Sequence, residues 1–293
     1  MKQSELLQAY ESELVRVGKS EHTRKTYLNH LNIFLNWMEE TNGKPFDVPL
    51  LEYDTREYTT YLTMIQKASL STINTKLAAI QSFADFLHSE YENPVIKVQR
   101  KKGKVEPKVD ILEKNDINRF RRAVYQKGNK LHIAIIETFL FTGIRESELC
   151  SLELDDLQYS ERKATLIVRD GKGGKYRELA VPNDCRTALM DYLESRPKTD
   201  SNKLFIGNRG TLTPNGVYKM VHRLGQSVDV DVYPHMLRHQ CFTNQAKSVH
   251  NAQDLKDLAT NAGHDSIELT MKYYISGSKE NRERLSNSIN YTI

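Results

Sequence analysis

Polar side chains that could act on a phosphate group lie in four short segments of the second half of this sequence. They are an arginine after a glycine, a lysine among glycines, a histidine–arginine pair, and a tyrosine nine residues after a histidine: Arg145, Lys172, His235, Arg238, His264 and Tyr273. An arginine at the start of a helix can hold a phosphate through its forked donors. A lysine at the tip of a hairpin can reach into a DNA groove. Phosphate binding is therefore the chemistry to test first.

Each segment also has a simpler interpretation. Arg145 could be an exposed arginine paired with Glu148, one helical turn along. Lys172 could be a solvated residue, because its glycine-rich segment lacks the strand-to-helix context of a phosphate-binding P-loop. The spacing of His235 and Arg238 puts them on one helix face, and such pairs are common by chance. None of these segments is specific alone, so their occurrence together in one chain is the informative feature.

Taken together, in this order and at this spacing, the segments resemble the phage-integrase family of tyrosine recombinases. The match covers the T-G-[LI]-R-x-S-E-L, G-K-G, H-x-L-R-H and G-H boxes and the tyrosine at the family's spacing. These supply, in order, Arg145, Lys172, His235 with Arg238, His264 and Tyr273. Adjacent residues of a helix point in different directions, so only one of the two tyrosines would face the site. We assign that position to Tyr273 by its spacing and interpret the neighbouring Tyr274 as a packing residue.

The resemblance implies DNA cleavage and rejoining through a covalent 3′-phosphotyrosyl intermediate. Tyr273 would attack the scissile phosphate and expel a 5′-hydroxyl. Lys172 would protonate the departing oxygen, and His235 would exchange the tyrosine proton.

The other matched residues would stabilise the charge of the reacting phosphate. Arg145 and Arg238 would hold its non-bridging oxygens, His264 would donate a hydrogen bond to one of them, and Glu148 would orient its neighbours. No metal and no cofactor would be needed, because the two guanidinium groups and the lysine supply positive charge.

The family likeness also implies partners and assembly. The substrate would be double-stranded DNA with inverted core sites. One tyrosine cuts one strand, so a homotetramer would act on two duplexes and pass through a Holliday junction. Residues 280–293 would pack on the next protomer. Accessory proteins are possible partners that the sequence does not identify.

The elements that must position these residues are mostly helical. Apolar stripes at helical spacing over the first ninety residues predict a small bundle. They are Leu6, Leu7, Tyr10 and Leu14; Tyr27, Leu31, Phe34, Leu35 and Met38; and Ile73, Leu77, Ile80, Ala84 and Leu87. Ser20 and Thr23 mark one helix start, and Ser71 and Thr72 another. Short strands at 165–168 and 176–181 predict one small sheet, with helices around it.

We therefore expect a mostly α-helical protein with a small β-sheet and two domains. The family resemblance implies that residues 1–95 form a helical, SAM-like core-binding domain and 110–293 an α/β catalytic domain, the two closing as a C-shaped clamp on DNA. Between them, 96–109 reads as a basic linker, in which Lys101, Lys102 and Lys104 could follow a phosphate backbone. The first helix starts close to Met1, so we expect no arm-binding domain.

Composition is compatible with this interpretation. The net charge of +4 permits nucleic-acid binding without requiring it. The three cysteines lack metal-site spacing and predict free, mostly buried thiols. Neither a membrane span nor a signal peptide is evident, which leads us to expect a cytoplasmic protein.

Other uses of the same residues remain open at this level. They are a type IB topoisomerase that relaxes DNA and a catalytically silent DNA-binding protein, although binding alone would not require Tyr273. Within the recombinases, resolution or integration of a mobile element is our preferred role over Xer-like dimer resolution.

Overall fold

The computed structural model describes residues 3–103, 110–171, 175–263 and 267–274. The chain divides into two compact units, Met1–Glu106 and Pro107–Ile293.

The N-terminal unit is a helical bundle. Its helices are α1 (Gln3–Arg16), α2 (Glu21–Asn42), α3 (Glu52–Thr60) and α4 (Leu70–Tyr91), and a π-helical turn follows α3 at Tyr61–Ile65. The predicted stripes form its core, since nearly all of their members are buried and only Leu7 and Tyr27 are half-buried. Ser20 caps α2 by accepting a hydrogen bond from the amide of Thr23, as predicted.

Two features of this unit differ from the sequence interpretation. The cap of α4 is Ser69, which accepts from the amide of Thr72, and not Ser71. Helix α3 was not anticipated, because its segment is rich in charged and hydroxyl side chains and only Thr55 and Tyr58 within it are buried.

The basic segment after α4 packs on the N-terminal unit as far as residue 103. Ile96 and Val98 are buried in its core. Gln81 accepts from the amide of Val98 at 2.8 Å, and Asn74 pairs with both backbone groups of Lys101 at 2.9 and 3.0 Å. The backbone that carries Lys101 is therefore held against α4, while Lys104 lies outside the described residues.

The C-terminal unit surrounds one apolar helix. In chain order it contains α5 (Lys114–Gln126), α6 (Lys130–Thr142), α7 (Glu146–Ser151), a 3-10 turn (Leu154–Asp156), β1 (Leu157–Tyr159), β2 (Ala164–Gly171), β3 (Lys175–Val181), α8 (Asn183–Ser195), β4 (Ile206–Gly207), β5 (Gly210–Thr211), α9 (Pro214–Gln226), α10 (Pro234–Ala246), α11 (Ala252–Ala262) and α12 (Ile267–Tyr274). Helix α6 contacts α5, α8, α10 and β3, which explains its nearly continuous apolar sequence.

Strands β1, β2 and β3 form an antiparallel sheet in that order. Leu166 pairs with Leu179, and Gly171 pairs with Lys175 at the hairpin end, after a register shift. A second sheet of two short strands, β4 and β5, was not predicted, since each strand has only two residues. The predicted free thiols are present: Cys185 and Cys241 are buried and Cys150 is half-buried.

Asn93, directly after α4, generates the first prediction. Its buried amide accepts from the backbone N–H of Leu50 at 2.7 Å and donates to the Leu50 carbonyl at 3.1 Å. Asn93→Ala leaves both buried groups unpaired, so we expect the unit to lose about 2 to 4 kcal/mol of unfolding free energy. Denaturant unfolding followed by the fluorescence of Trp37, the one tryptophan of the chain, measures this.

Asn74→Ala is the matched control. Asn74 makes the same paired contact with the backbone of Lys101, but at an exposed site where water can replace the amide. A loss below about 1 kcal/mol is expected there. Equal losses in the two variants would contradict the argument from burial.

Candidate functional site

Arg145 lies at the junction between two helices. Gly143 ends α6 in the left-handed conformation, with φ of 61°, and Arg145 is the residue before the first turn of α7. Its backbone N–H and its Nη1 donate to the two carboxylate oxygens of Glu148, each at 2.8 Å. The helix-start pairing with Glu148 considered above therefore exists, and it orients the guanidinium group.

Glu148 is buried between two arginines. Besides Arg145, it accepts from Arg177 on β3, whose Nη1 and Nη2 lie 3.0 and 2.6 Å from its oxygens. Burial alone would raise the pKa of the Glu148 carboxyl, but the hydrogen bonds and charge of Arg177, followed by the hydrogen bonds of Arg145, outweigh it and lower the pKa to about 2. The carboxylate is ionised throughout the physiological range.

The C-terminal end of α11 brings three arginines together. The carbonyl of Asn261 accepts from Arg177 at 3.2 Å, and Arg145 donates to the carbonyls of Ala262 and Gly263 at 3.2 and 2.8 Å. Arg238 also donates to the Ala262 carbonyl, at 2.5 Å. Cations are favoured at this end of a helix because its last carbonyls lack intrahelical partners.

Gly263 is required at this helix end for two reasons. Its φ of 56° lies in the left-handed region that other residues adopt at a cost. In addition, a Cβ atom here would lie 2.9 Å from Nη1 of Arg145 and 3.4 Å from Nη1 of Arg177. The glycine therefore leaves the space that two guanidinium groups occupy.

Arg238 is buried on α10 and fixed from both sides. Its guanidinium donates to the Gly143 carbonyl and to the Ala262 carbonyl. It also lies over the ring of Phe242, 4.8 Å from the centroid. A Cβ on Gly143 would lie 2.5 Å from the Phe242 ring, so this glycine allows the ring to support Arg238.

His235 lies on α10 one turn before Arg238, and it is exposed whereas the flanking Pro234 and Met236 are buried. Its ring contacts that of His239 edge to face, with centroids 4.2 Å apart. Desolvation by the surrounding protein lowers the pKa of His235 below its ordinary 6.5, and the charges of Arg238 and Arg145 lower it further. The imidazole is therefore neutral at pH 7 and can accept a proton.

The remaining predicted residues lie partly outside the described structure. Lys172 and His264 are not among the described residues, and of Tyr273 only the backbone is described, within α12. Helix α12 packs against α10 and α11, which carry His235, Arg238 and the carbonyls that bind the arginines. The structure thus brings together Arg145, Glu148, His235 and Arg238.

Arg177 was missed by sequence reasoning, although a signal for it existed. Along β3, Tyr176 and Glu178 are exposed while Arg177, Leu179 and Val181 are buried. The strand alternation that points Leu179 and Val181 inward also points Arg177 inward. An arginine on the same strand face as two core residues indicates a buried ion pair.

Neither a metal-binding cluster nor a membrane span is found in the described parts of the chain. No group of three or more histidine, cysteine, aspartate or glutamate side chains among these residues is arranged to hold a metal ion. Likewise, none of the helices described above is both long enough and apolar enough to cross a membrane.

The low pKa of Glu148 predicts a specific loss of stability in acid. A carboxyl whose folded pKa lies below its ordinary 4.5 stabilises the fold above pH 4.5, and this contribution disappears as the pH falls towards 2. It amounts to about 3 kcal/mol. Glu148→Gln should remove this pH dependence and lower the stability at pH 7. Denaturant unfolding by circular dichroism between pH 2.5 and 7 tests this, with Trp37 fluorescence reporting the N-terminal unit separately.

Glu153→Gln serves as the control, because Glu153 pairs with Lys203 at a partly exposed site. This variant should keep the wild-type slope. The interpretation fails if Glu148→Gln keeps it too.

Two protein-family matches cover the N-terminal and C-terminal parts of the chain. Residues 110–280 match the phage integrase family, and residues 6–92 match the N-terminal SAM-like domain of phage integrases. The first match alone covers more than half of the 293 residues.

Relatives align over most of their length. The TnP I resolvase of Bacillus thuringiensis is 27% identical over 273 residues, which cover 90% of this chain and 93% of the relative. Tyrosine recombinase XerC of Alcanivorax borkumensis is 31% identical over 222 residues, covering 71% and 70%.

Solved structures share the fold. The Tn1549 transposon integrase, in complex with circular intermediate DNA, superimposes with a TM-score of 0.70 at 19% identity, covering 96% of this chain and 98% of that one. XerH recombinase bound to its difH substrate gives 0.69 at 21%, covering 90% and 79%. With the family match, the fold and the arginine cluster, the chain belongs to the phage integrase family of tyrosine recombinases, the enzymes that catalyse site-specific DNA strand exchange.

Proposed function

We propose that this recombinase cuts DNA with Tyr273 and holds the scissile phosphate with Arg145 and Arg238. The observation that carries the proposal is the convergence of both arginines on the Ala262 carbonyl, 3.2 and 2.5 Å away. Two guanidinium groups this close supply the paired positive charge that a phosphate with developing negative charge requires. Helix α12, which carries Tyr273, packs against the helices on which they converge.

Arg145 has the capacity to bind a phosphate in addition to its protein partners. Its side chain is 23% exposed, and three of its five N–H groups donate to acceptors among the described residues. Two N–H groups are left to point to a non-bridging oxygen. Glu148 sets the plane of the guanidinium group, so these donors are oriented before DNA binds.

Cleavage and rejoining need no external reactant. The Tyr273 oxygen attacks phosphorus and gives its proton to His235, whose lowered pKa leaves the imidazole able to accept it. Lys172 protonates the 5′-oxygen as the P–O bond breaks, and His264 donates a hydrogen bond to a non-bridging oxygen. Rejoining is the reverse reaction with the 5′-hydroxyl of another strand. Because the phosphotyrosyl bond retains the bond energy, no nucleotide is consumed.

The partner is double-stranded DNA, and the proposed assembly on it is a homotetramer. Each protomer cuts one strand, so exchange between two duplexes needs four protomers on inverted core sites and passes through a Holliday junction. A cyclic contact made by residues 280–293 would let neighbours regulate each other. Lys101 and Lys102 would contact phosphates from a backbone that Asn74 holds in place, with Lys104 following.

The biological role that we propose is resolution or integration of a mobile element. The similarity to a resolvase and to a transposon integrase supports it. The similarity to XerC supports Xer-like dimer resolution as the second candidate. The sequence of the DNA beside the coding region distinguishes the two, because a mobile element would place transposition genes or inverted core sites there.

Tyr273→Phe tests the proposed nucleophile. The variant should bind DNA within about twofold of wild type but form no covalent adduct, since the phenolic oxygen reacts and contributes little to binding. The substrate is a DNA duplex that the wild-type chain selects from a random-sequence pool. A nick is placed at successive positions in separate copies of this duplex. Cleavage next to the nick releases a short fragment, which prevents religation and traps the covalent adduct. Adducts are counted on a denaturing gel.

Tyr274→Phe is the matched control and should form the adduct at the wild-type rate. The reverse result, with adducts in Tyr273→Phe and none in Tyr274→Phe, would move the nucleophile to Tyr274.

Gly263→Ala tests the proposed dependence of cleavage on the end of α11. The new methyl group would displace Arg145, so we expect trapping to slow by about 10- to 100-fold, the effect of a shift near 1 Å at a reacting centre. The left-handed backbone should also cost about 1 kcal/mol of stability.

Gly128→Ala separates these two effects. Gly128 has a φ of 65° and nothing within 4 Å of an added Cβ, so this control carries the backbone strain without the crowding. It should lose similar stability and cleave at the wild-type rate. Equal cleavage rates in the two variants would show that the space beside Arg145 is not needed.

A further inference from the structure

Arg177 is a charged residue buried on a strand of the C-terminal unit. It occupies a core-facing position of β3 and is 4% exposed. An arginine in such a position is favourable only if its charge and its donors are matched by buried partners. Three of its donors have such partners.

These partners are components of the arrangement that surrounds Arg145. Two donors of Arg177 bind the two oxygens of Glu148, and Nε binds the Asn261 carbonyl at 3.2 Å. The same carboxylate binds the side chain and the backbone N–H of Arg145. Both arginines thus contact the carboxylate and the end of α11, and Glu148 lies between them.

We propose that Arg177 is a positioning residue for Arg145 in DNA cleavage. This inference rests on the role proposed above for Arg145. A carboxylate that is gripped through both oxygens by a planar, forked donor cannot rotate, so the donor geometry that it imposes on Arg145 is fixed. Without Arg177, Glu148 could turn towards Arg145 alone and draw its remaining donors away from the phosphate.

The position of Arg177 adds a second consequence. It lies on the strand that leaves the glycine-rich hairpin, two residues after the Gly171–Lys175 pair. Its contact with Asn261 joins that strand to the end of α11, where Arg145 and Arg238 converge. Arg177 therefore fixes the hairpin base relative to the proposed phosphate-binding arginines.

A purely structural role must be separated from positioning. If Arg177 only neutralised a buried carboxylate, its removal would destabilise the unit and leave the cleavage rate of the folded protein unchanged. If it positions Arg145, its removal should slow cleavage only while Arg145 is present. A double-mutant cycle between Arg145 and Arg177 distinguishes the two roles.

The experiment measures single-turnover trapping of the nicked duplex by Arg177→Met, Arg177→Lys, Arg145→Ala and both double variants, in the full chain. We expect Arg177→Met and Arg177→Lys each to slow trapping by about 10- to 100-fold, as loss of a group that orients a binding residue does. DNA affinity should stay within about twofold. In the Arg145→Ala background, either substitution should change the rate by less than about threefold.

Arg121→Met is the matched control. Arg121 on α5 makes an equally forked pair, at 3.0 and 2.7 Å, with the fully buried Glu137 of α6. Its loss should lower the melting temperature without slowing trapping. Slowing by Arg121→Met comparable to that by Arg177→Met would mean that any lost buried ion pair slows the enzyme, and would overturn the proposal.

The remaining outcomes separate this inference from the proposed function. Wild-type trapping by Arg145→Ala would overturn the role of Arg145 and, with it, this inference. Two other outcomes would overturn the positioning role alone. In the first, Arg145→Ala traps slowly while the Arg177 variants trap at the wild-type rate. In the second, the Arg177 substitutions slow trapping by the same factor with and without Arg145. Arg177→Lys keeps the charge, so it provides the same cycle if Arg177→Met does not fold.

Discussion

Like charges in a protein interior repel one another, and this enzyme gathers three guanidinium groups at one helix end. Two features offset the repulsion. The carbonyls of Asn261, Ala262 and Gly263 accept from the arginines where the helix dipole favours positive charge. The buried carboxylate of Glu148 pairs with two of the three. The surroundings serve this arrangement: glycine at 143 and 263 leaves room, and Phe242 supports Arg238.

Among the described residues, the partners of the three arginines differ in charge. Glu148 neutralises one charge of the pair Arg145 and Arg177, and Arg238 interacts with carbonyls and an aromatic ring. Guanidinium groups in a partly desolvated site attract a phosphate diester more strongly than the same arginines would in open solvent. Burial is the larger cause of the lowered pKa of His235, and the charges of Arg238 and Arg145 lower that pKa further, so the arginines also favour the neutral imidazole.

The sequence predicted the helices that carry the three apolar stripes because apolar spacing and capping residues agree there, as at Ser20. It missed α3, whose segment has few apolar residues, and the two-residue strands of the second sheet. Arg145, Glu148 and Arg238 could be identified from their order and spacing. Their shared acceptors could not, because the Ala262 carbonyl is a backbone group that any residue would supply. The burial of Arg177 could have been predicted from strand alternation, but a charged residue beside a hairpin is ordinarily exposed.

The shared carbonyl of Ala262 has a consequence for the two arginines that donate to it. Ala262 is the last residue of α11, and α12, the helix that carries Tyr273, begins at Ile267. Because Arg145 and Arg238 both donate to this one carbonyl, a change in the position of the end of α11 would act on both guanidinium groups at once. In the mechanism proposed above, a displacement of this helix end would therefore disturb both phosphate-binding groups together and not one of them alone.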